Sequence, residues 1–76
     1  MQENEQKYLE IISKNIKRFR EEKEYSQEIL SEKVNCSREF INRVENRKEN
    51  VSLKMLLKIA YTLDMPPQDF FIFDNS

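Results

Sequence analysis

The stretch EKVNCSREFINRVEN, residues 32–46, decides the fold, because it reads as the end of one helix, a short break and a second helix. Asn35 stands in the break of a chain that contains no glycine. Asparagine is the next most tolerant residue for the left-handed conformation that often ends a helix. Ser37 is a good N-cap for a helix from residue 38 to about 46. The stretch therefore predicts two helices joined by a sharp turn.

The second helix of this stretch has two unlike faces. Its apolar seam is narrow and consists of Ile41 and Val44. Its other face carries hydrogen-bonding side chains: Arg38, Glu39, Asn42 and Arg43. Such a helix can enter a B-DNA major groove, where arginine suits guanine, glutamate suits cytosine and asparagine suits adenine. The alternative is an ordinary solvated face with charge pairs along the helix.

Helical spacing continues on both sides of this stretch. Leu9, Ile12, Ile16 and Phe19 predict a first helix over about residues 6–23. Ser26 is the expected N-cap of a second helix from 27 to about 34.

Ser52 is the expected N-cap of a fourth helix. Its predicted buried face consists of Leu53, Leu56, Leu57, Ala60 and Leu63. Pro66 and Pro67 end it, and Pro67 can open a short fifth helix that holds Phe70, Phe71 and Phe73. No segment alternates as a strand does. We therefore predict an all-α fold, a compact bundle of five short helices in one domain over residues 1–76.

Composition excludes several function classes. The chain has no histidine and one cysteine, Cys36. It therefore lacks the usual general base, an internal disulfide and a multi-cysteine metal cluster. We expect no enzyme, no cofactor and no metal site. No stretch approaches the apolar length of a membrane span, and the first ten residues are too polar for a signal peptide, so we expect a cytoplasmic protein.

Charge is unevenly distributed along a chain whose net charge is −1. Residues 11–20 and 34–54 are basic within an acidic background. Such polarity can hold a phosphate backbone while it keeps non-specific affinity low. Lys14, Lys17 and Arg18 have two interpretations, as solvated positions on the first helix or as a supplementary phosphate contact.

Residues 27–46, QEILSEKVNCSREFINRVEN, resemble the helix-turn-helix of Cro and phage-repressor-type (XRE-like) transcriptional regulators. The places that are apolar in that family are occupied here by Leu30, Val34, Cys36, Ile41 and Val44. The flanking helices resemble the family too, so the resemblance covers about residues 11–72. It implies a lambda-repressor-like fold and double-stranded DNA as the partner.

The resemblance also implies residue roles. Arg38, Glu39 and Arg43 match base-reading positions, which Asn42 joins by its place on the same face. The expected backbone contacts are Gln27, Ser37, Asn46, Arg47 and Lys48. Arg20 and Glu45 match an internal ion pair of the family. Phe40 departs from the family pattern and either packs on the scaffold or touches a thymine methyl. Cys36 fills an apolar place, with a redox switch as the alternative.

Regulators of this kind usually bind inverted repeats as two-fold dimers. Apolar residues concentrate at the C-terminal end, and we expect the homodimer interface there: Met65, Phe70, Phe71, Ile72 and Phe73. We expect no small-molecule ligand domain. Prophage and plasmid repressors and restriction–modification controller proteins are all compatible, as activator or repressor. Two alternatives are a helix-turn-helix-fold module that binds only proteins, and an antitoxin.

Overall fold

The structure is a computed structural model that describes the backbone of residues 2–73 and the side chains of residues 5–73. Within this part of the chain it is all-helical, as predicted. Its elements are α1 (Gln2–Glu22), α2 (Gln27–Val34), α3 (Arg38–Glu45), α4 (Leu53–Thr62) and a 3₁₀ helix (Pro67–Phe71). The number of α-helices differs slightly from the predicted five. The described residues form four α-helices and one 3₁₀ turn, and α1 begins four residues before its predicted start.

The helix starts follow from three serines. Ser26, Ser37 and Ser52 have extended backbones, and the hydroxyl of each accepts a hydrogen bond from the backbone N–H three residues later. Each of these bonds is 3.0 Å long. The cap satisfies one of the N–H groups that have no partner within the first turn. All three predicted N-caps are confirmed.

The α-helix ends share one geometry without glycine. Glu24, Asn35, Arg47 and Asp64 each follow a helix with φ between 61 and 63°. At each end, the N–H one residue further on bonds to the carbonyl five residues back, for example Cys36 to Ser31 at 2.9 Å. This is the Schellman arrangement. The left-handed conformation predicted for Asn35 is confirmed, and the other three positions were not predicted.

The core is a single cluster to which every helix contributes. Its fully buried side chains include Ile16, Leu30, Ile41, Ile59 and Phe70. Three residues that directly follow a left-handed helix end, Tyr25, Cys36 and Met65, pack against this cluster. The turns between helices are thereby anchored to the core as well as hydrogen-bonded.

The predicted buried face of α4 was wrong at two positions. Leu53 is 68 % exposed and Leu57 is 47 % exposed, whereas Ile59 is fully buried. Leu57 lies about 100° around the helix axis from the buried Leu56, outside the buried stripe. Leu53 is the first residue of α4 and lies one turn before Leu56. The buried stripe of α4 begins at Leu56 and continues through Ile59, Ala60 and Leu63.

Asn15 of α1 fixes the C-terminal segment. Its side chain is buried, and its amide nitrogen lies 2.9 Å from the Phe70 carbonyl and 3.0 Å from the Ile72 carbonyl. The Phe70 ring meets the Phe19 ring edge to face at 4.9 Å between centroids. Phe70 is therefore a core residue, and its predicted place in a dimer interface is wrong, because none of its surface is exposed.

No helix in the described part of the chain combines the length and apolar character that a membrane span needs.

Candidate nucleic-acid interface

The helix α3 turns one face to the core and the other to solvent. Ile41 and Val44 are buried to 1 % exposure or less. The opposite face carries the predicted base-reading side chains, all of them exposed: Arg38, Glu39, Asn42 and Arg43. Because α3 packs on α1 and α2, its inner face is covered while this outer face stays exposed. It is a row of donors and acceptors on a rigid support.

A buried ion pair attaches α3 to α1. Arg20 donates from Nε to Glu45 Oε2 at 2.7 Å and from Nη2 to Glu45 Oε1 at 3.0 Å. The two side chains are 9 % and 2 % exposed. Arg20 also donates to the Tyr25 carbonyl at 2.7 Å, at the end of α1. The pair that the resemblance implied thus orients the last turn of α3 against the first helix.

Gln27 connects this buried pair to the exposed face of α3. Its amide nitrogen donates to Glu45 Oε1 at 3.0 Å, and its amide oxygen accepts from the Asn42 side chain at 3.3 Å. These contacts hold Gln27, at the start of α2, beside the middle of α3. The structure therefore brings one predicted backbone-contacting residue next to a predicted base-reading one.

The other predicted backbone-contacting residues lie at the two ends of α3. The Ser37 hydroxyl caps its start by accepting from the Phe40 N–H. The Asn46 side chain donates to the Asn42 carbonyl at 2.9 Å. Arg47, in the left-handed conformation, and Lys48 follow as exposed residues. These predicted residues thus lie at both ends of the exposed face of α3.

Acidic side chains accompany the arginines of this surface. Arg43 Nε donates to Glu49 Oε1 at 3.2 Å, and Arg47 Nη1 lies 3.0 Å from Glu10 Oε1. Lys14, by its hydrogen bond and charge, holds the pKa of Glu10 below its ordinary value, and the charge of Arg47 acts in the same direction. Glu10 and Glu49 were not among the predicted site residues. No local pattern indicates the contact of Glu10 with Arg47 or of Glu49 with Arg43, because the first joins two separate parts of the chain and the second crosses the turn after α3.

Phe40 and Cys36 support the fold beside this surface. Both are partly buried and pack against the core cluster, which agrees with the scaffold interpretation of Phe40. Burial raises the pKa of the Cys36 thiol above its ordinary value, with the charge of Lys58 acting in the opposite direction. A raised thiol pKa disfavours the reactive thiolate at neutral pH.

The basic residues of α1 do not act alike. Arg18 donates to the Asn15 side chain at 3.0 Å, and its guanidinium lies 4.4 Å from the Phe19 ring centroid. Neither interpretation offered for Arg18 was complete, because its contacts support the buried Asn15. Lys14 pairs with Glu10 at 3.0 Å and Lys17 is exposed.

The fold and this surface define a helix-turn-helix domain whose second helix is displayed for a ligand. Residues 15–76 match the family of the Cro/C1-type HTH DNA-binding domain. An uncharacterized HTH-type transcriptional regulator from Archaeoglobus fulgidus is 42 % identical over 60 residues, which are 79 % of this chain and 84 % of that protein.

Solved structures show the same likeness. The restriction-modification controller protein C.AhdI from Aeromonas hydrophila superposes with a TM-score of 0.78 at 33 % identity, over 83 % of this chain and 96 % of that one. SinR, the master regulator for biofilm formation, solved in complex with DNA, gives 0.75 at 29 % identity over 80 % and 98 %.

The chain belongs to the family of Cro/C1-type HTH DNA-binding domains. It is a DNA-binding transcriptional regulator of the helix-turn-helix type. Its family and relatives are regulators of this kind and not enzymes. The resemblance read from residues 27–46 is thereby confirmed.

Proposed function

We propose that the protein binds an inverted-repeat operator as a homodimer, with α3 of each subunit inserted in the major groove. One observation carries this proposal. The exposed face of α3 presents the hydrogen-bonding side chains of Arg38, Glu39, Asn42 and Arg43, while its buried seam and the Arg20–Glu45 pair hold the helix in place.

Position along α3 suggests the division of labour. Arg38 and Glu39 lie in the first turn, where the N-terminal residues of a recognition helix reach base edges. Asn42 and Arg43 follow one turn later. Arginine can bond guanine O6 and N7 together, and asparagine can do the same with adenine N6 and N7. Discrimination among bases is thus expected along the whole face.

Phosphate contacts would fix the register of the helix. Their proposed donors are Gln27, Ser37, Asn46, Arg47 and Lys48. These residues flank the reading face, and contacts of this kind position a protein without carrying sequence information themselves. Arg47 and Lys48 would also make affinity dependent on salt, because each phosphate that a cationic side chain neutralises releases counterions.

Dimerisation would supply the second half-site, about 34 Å away. The exposed apolar residues at the end of the 3₁₀ helix and just beyond it support a subunit contact there: Phe71 is 41 %, Ile72 57 % and Phe73 58 % exposed. Met65 contributes its partly buried side chain.

The likeness to the controller protein C.AhdI favours control of restriction–modification genes, and a regulator with this role would act in the cytoplasm.

Selection of binding sites from a random duplex library tests operator recognition. We expect an enriched inverted repeat whose affinity falls steeply as salt rises. Arg43→Ala should weaken binding to that repeat by about 1–3 kcal/mol and relax the preference at one base pair per half-site. Lys23→Ala, which removes an exposed charge paired with Asp64, is the control. No enrichment by the folded protein would contradict the proposal and favour a protein-binding module.

The dimer is tested by sedimentation of Phe71→Glu. A carboxylate in an apolar contact should give a monomer, because burying it without a partner is costly. Ile29→Glu is a matched control, since Ile29 is 40 % exposed but lies on α2. A mass of two subunits for Phe71→Glu would rule out an interface at this residue.

A further inference from the structure

The pair formed by Arg43 and Glu49 has a geometry that suits base recognition. Glu49 Oε1 accepts from Arg43 Nε at 3.2 Å. A guanidinium held at Nε keeps free the two parallel N–H groups at its far end, one on each terminal nitrogen, and this pair can bond guanine O6 and N7 together. The glutamate thus holds the arginine by the side that such a base contact does not need.

The end of α3 brings these two residues together. Arg47 adopts the left-handed conformation, and the Lys48 N–H bonds to the Arg43 carbonyl at 2.8 Å. The chain therefore folds back over the last turn of the helix, and Glu49 reaches a side chain six residues earlier. The contact depends on this turn and not on helical spacing.

Stability does not account for the Arg43–Glu49 contact. The two side chains are 47 % and 42 % exposed, and pairs so exposed to water add little to folding. A free arginine on this face would also attract any phosphate, and the carboxylate offsets that attraction. Both effects, orientation and neutralisation, favour sequence-dependent over sequence-independent binding.

We infer that Glu49 is a positioning residue for specificity, which orients Arg43 toward a guanine and lowers its attraction for phosphates of unrelated DNA. The inference rests on the proposed function, in which α3 faces the major groove. The pair of Arg47 with Glu10 lacks this geometry, because Glu10 contacts Nη1 and Arg47 is a proposed phosphate contact.

Two variants separate the effects. Glu49→Gln keeps an acceptor for Arg43 Nε but removes the charge, so affinity should rise on operator and unrelated duplexes together. Glu49→Ala removes both. It should raise affinity for unrelated DNA while it lowers discrimination of the base pair that Arg43→Ala identifies, by about threefold to tenfold.

Glu10→Ala is the control, because it removes a carboxylate of similar exposure that pairs with Arg47 and Lys14 and not with Arg43. We expect it to raise affinity for operator and unrelated DNA by similar factors and to leave base discrimination unchanged. Full discrimination by Glu49→Ala would overturn the inference and leave the proposed function intact. A wild-type protein without any sequence preference would instead overturn the proposed function.

Discussion

The Arg20–Glu45 and Arg43–Glu49 pairs both involve α3, and they differ chiefly in burial. Arg20 and Glu45 lie between α1 and the last turn of α3, with side chains 9 % and 2 % exposed. Arg43 and Glu49 lie on the outer surface, with side chains 47 % and 42 % exposed. A charge that is taken out of water depends on its partner, whereas an exposed charge can exchange one partner for another. The buried pair therefore belongs to the fold, and the exposed pair is available to a ligand.

The largest predicted effect follows from breaking the buried pair. Arg20→Ala would leave Glu45 charged and buried and would remove the donor to the Tyr25 carbonyl. We expect the free energy of unfolding to fall by about 3–5 kcal/mol, a large share of what a small domain has. Urea denaturation followed by circular dichroism measures it.

Lys17→Ala, on the exposed side of the same helix, should change the free energy of unfolding by less than about 0.5 kcal/mol. Replacing both partners, Arg20→Met with Glu45→Met, should recover part of the loss, because no unpaired charge remains. Equal stability of Arg20→Ala and Lys17→Ala would show that the buried Arg20–Glu45 pair does not stabilise the fold more than an exposed charge does.

An intermediate effect is expected at Gln27, which contacts both the buried ion pair and the exposed face of α3. Gln27→Ala removes a donor to the buried Glu45 carboxylate and an acceptor for Asn42. We expect a loss of about 1–2 kcal/mol in the free energy of unfolding. Operator affinity should fall as well, whereas Gln68→Ala in the 3₁₀ helix should change neither. A loss of operator affinity without any loss of stability would show that Gln27 supports DNA binding but not the buried ion pair.

The smallest predicted effect on stability comes from the exposed pair. Arg43→Ala and Glu49→Ala should each change the free energy of unfolding by less than about 1 kcal/mol, because water replaces the lost partner. Thermal unfolding of both variants beside the wild type is sufficient to measure this. A loss above about 2 kcal/mol for either variant would show that the exposed pair also supports the fold, as the buried pair does.

Local chemistry made much of the fold predictable. Ser26, Ser37 and Ser52 could be assigned as N-caps because a cap depends on its own next three residues. Asn35 could be placed in a left-handed turn for a similar reason. The narrow seam of α3 also followed from spacing alone, and with it the face that remains exposed.

Contacts between distant parts of the chain were not predictable from such patterns. The Asn15 side chain bonds to carbonyls 54 to 57 residues later, and nothing near Asn15 in the sequence indicates this. In the sequence, Phe70 is not distinguishable from its exposed neighbour Phe71. Its ring contact with Phe19, 51 residues earlier, is what makes it a core residue. Leu57 appeared buried because α4 contains more apolar residues than one stripe can hold.

The helix ends at Glu24, Asn35, Arg47 and Asp64 have a consequence for mutational tolerance. A non-glycine residue in the left-handed region costs roughly 1 kcal/mol, and here hydrogen bonds and the packing of the following residue offset that cost at most ends. Asn35 lies in the helix-turn-helix and Arg47 in the segment that follows it, where a change in turn shape would affect the proposed contacts with DNA. Glu24 and Asp64 lie outside it and are exposed. Glycine substitutions at these two positions could therefore compensate destabilising changes elsewhere without altering the proposed DNA-binding surface.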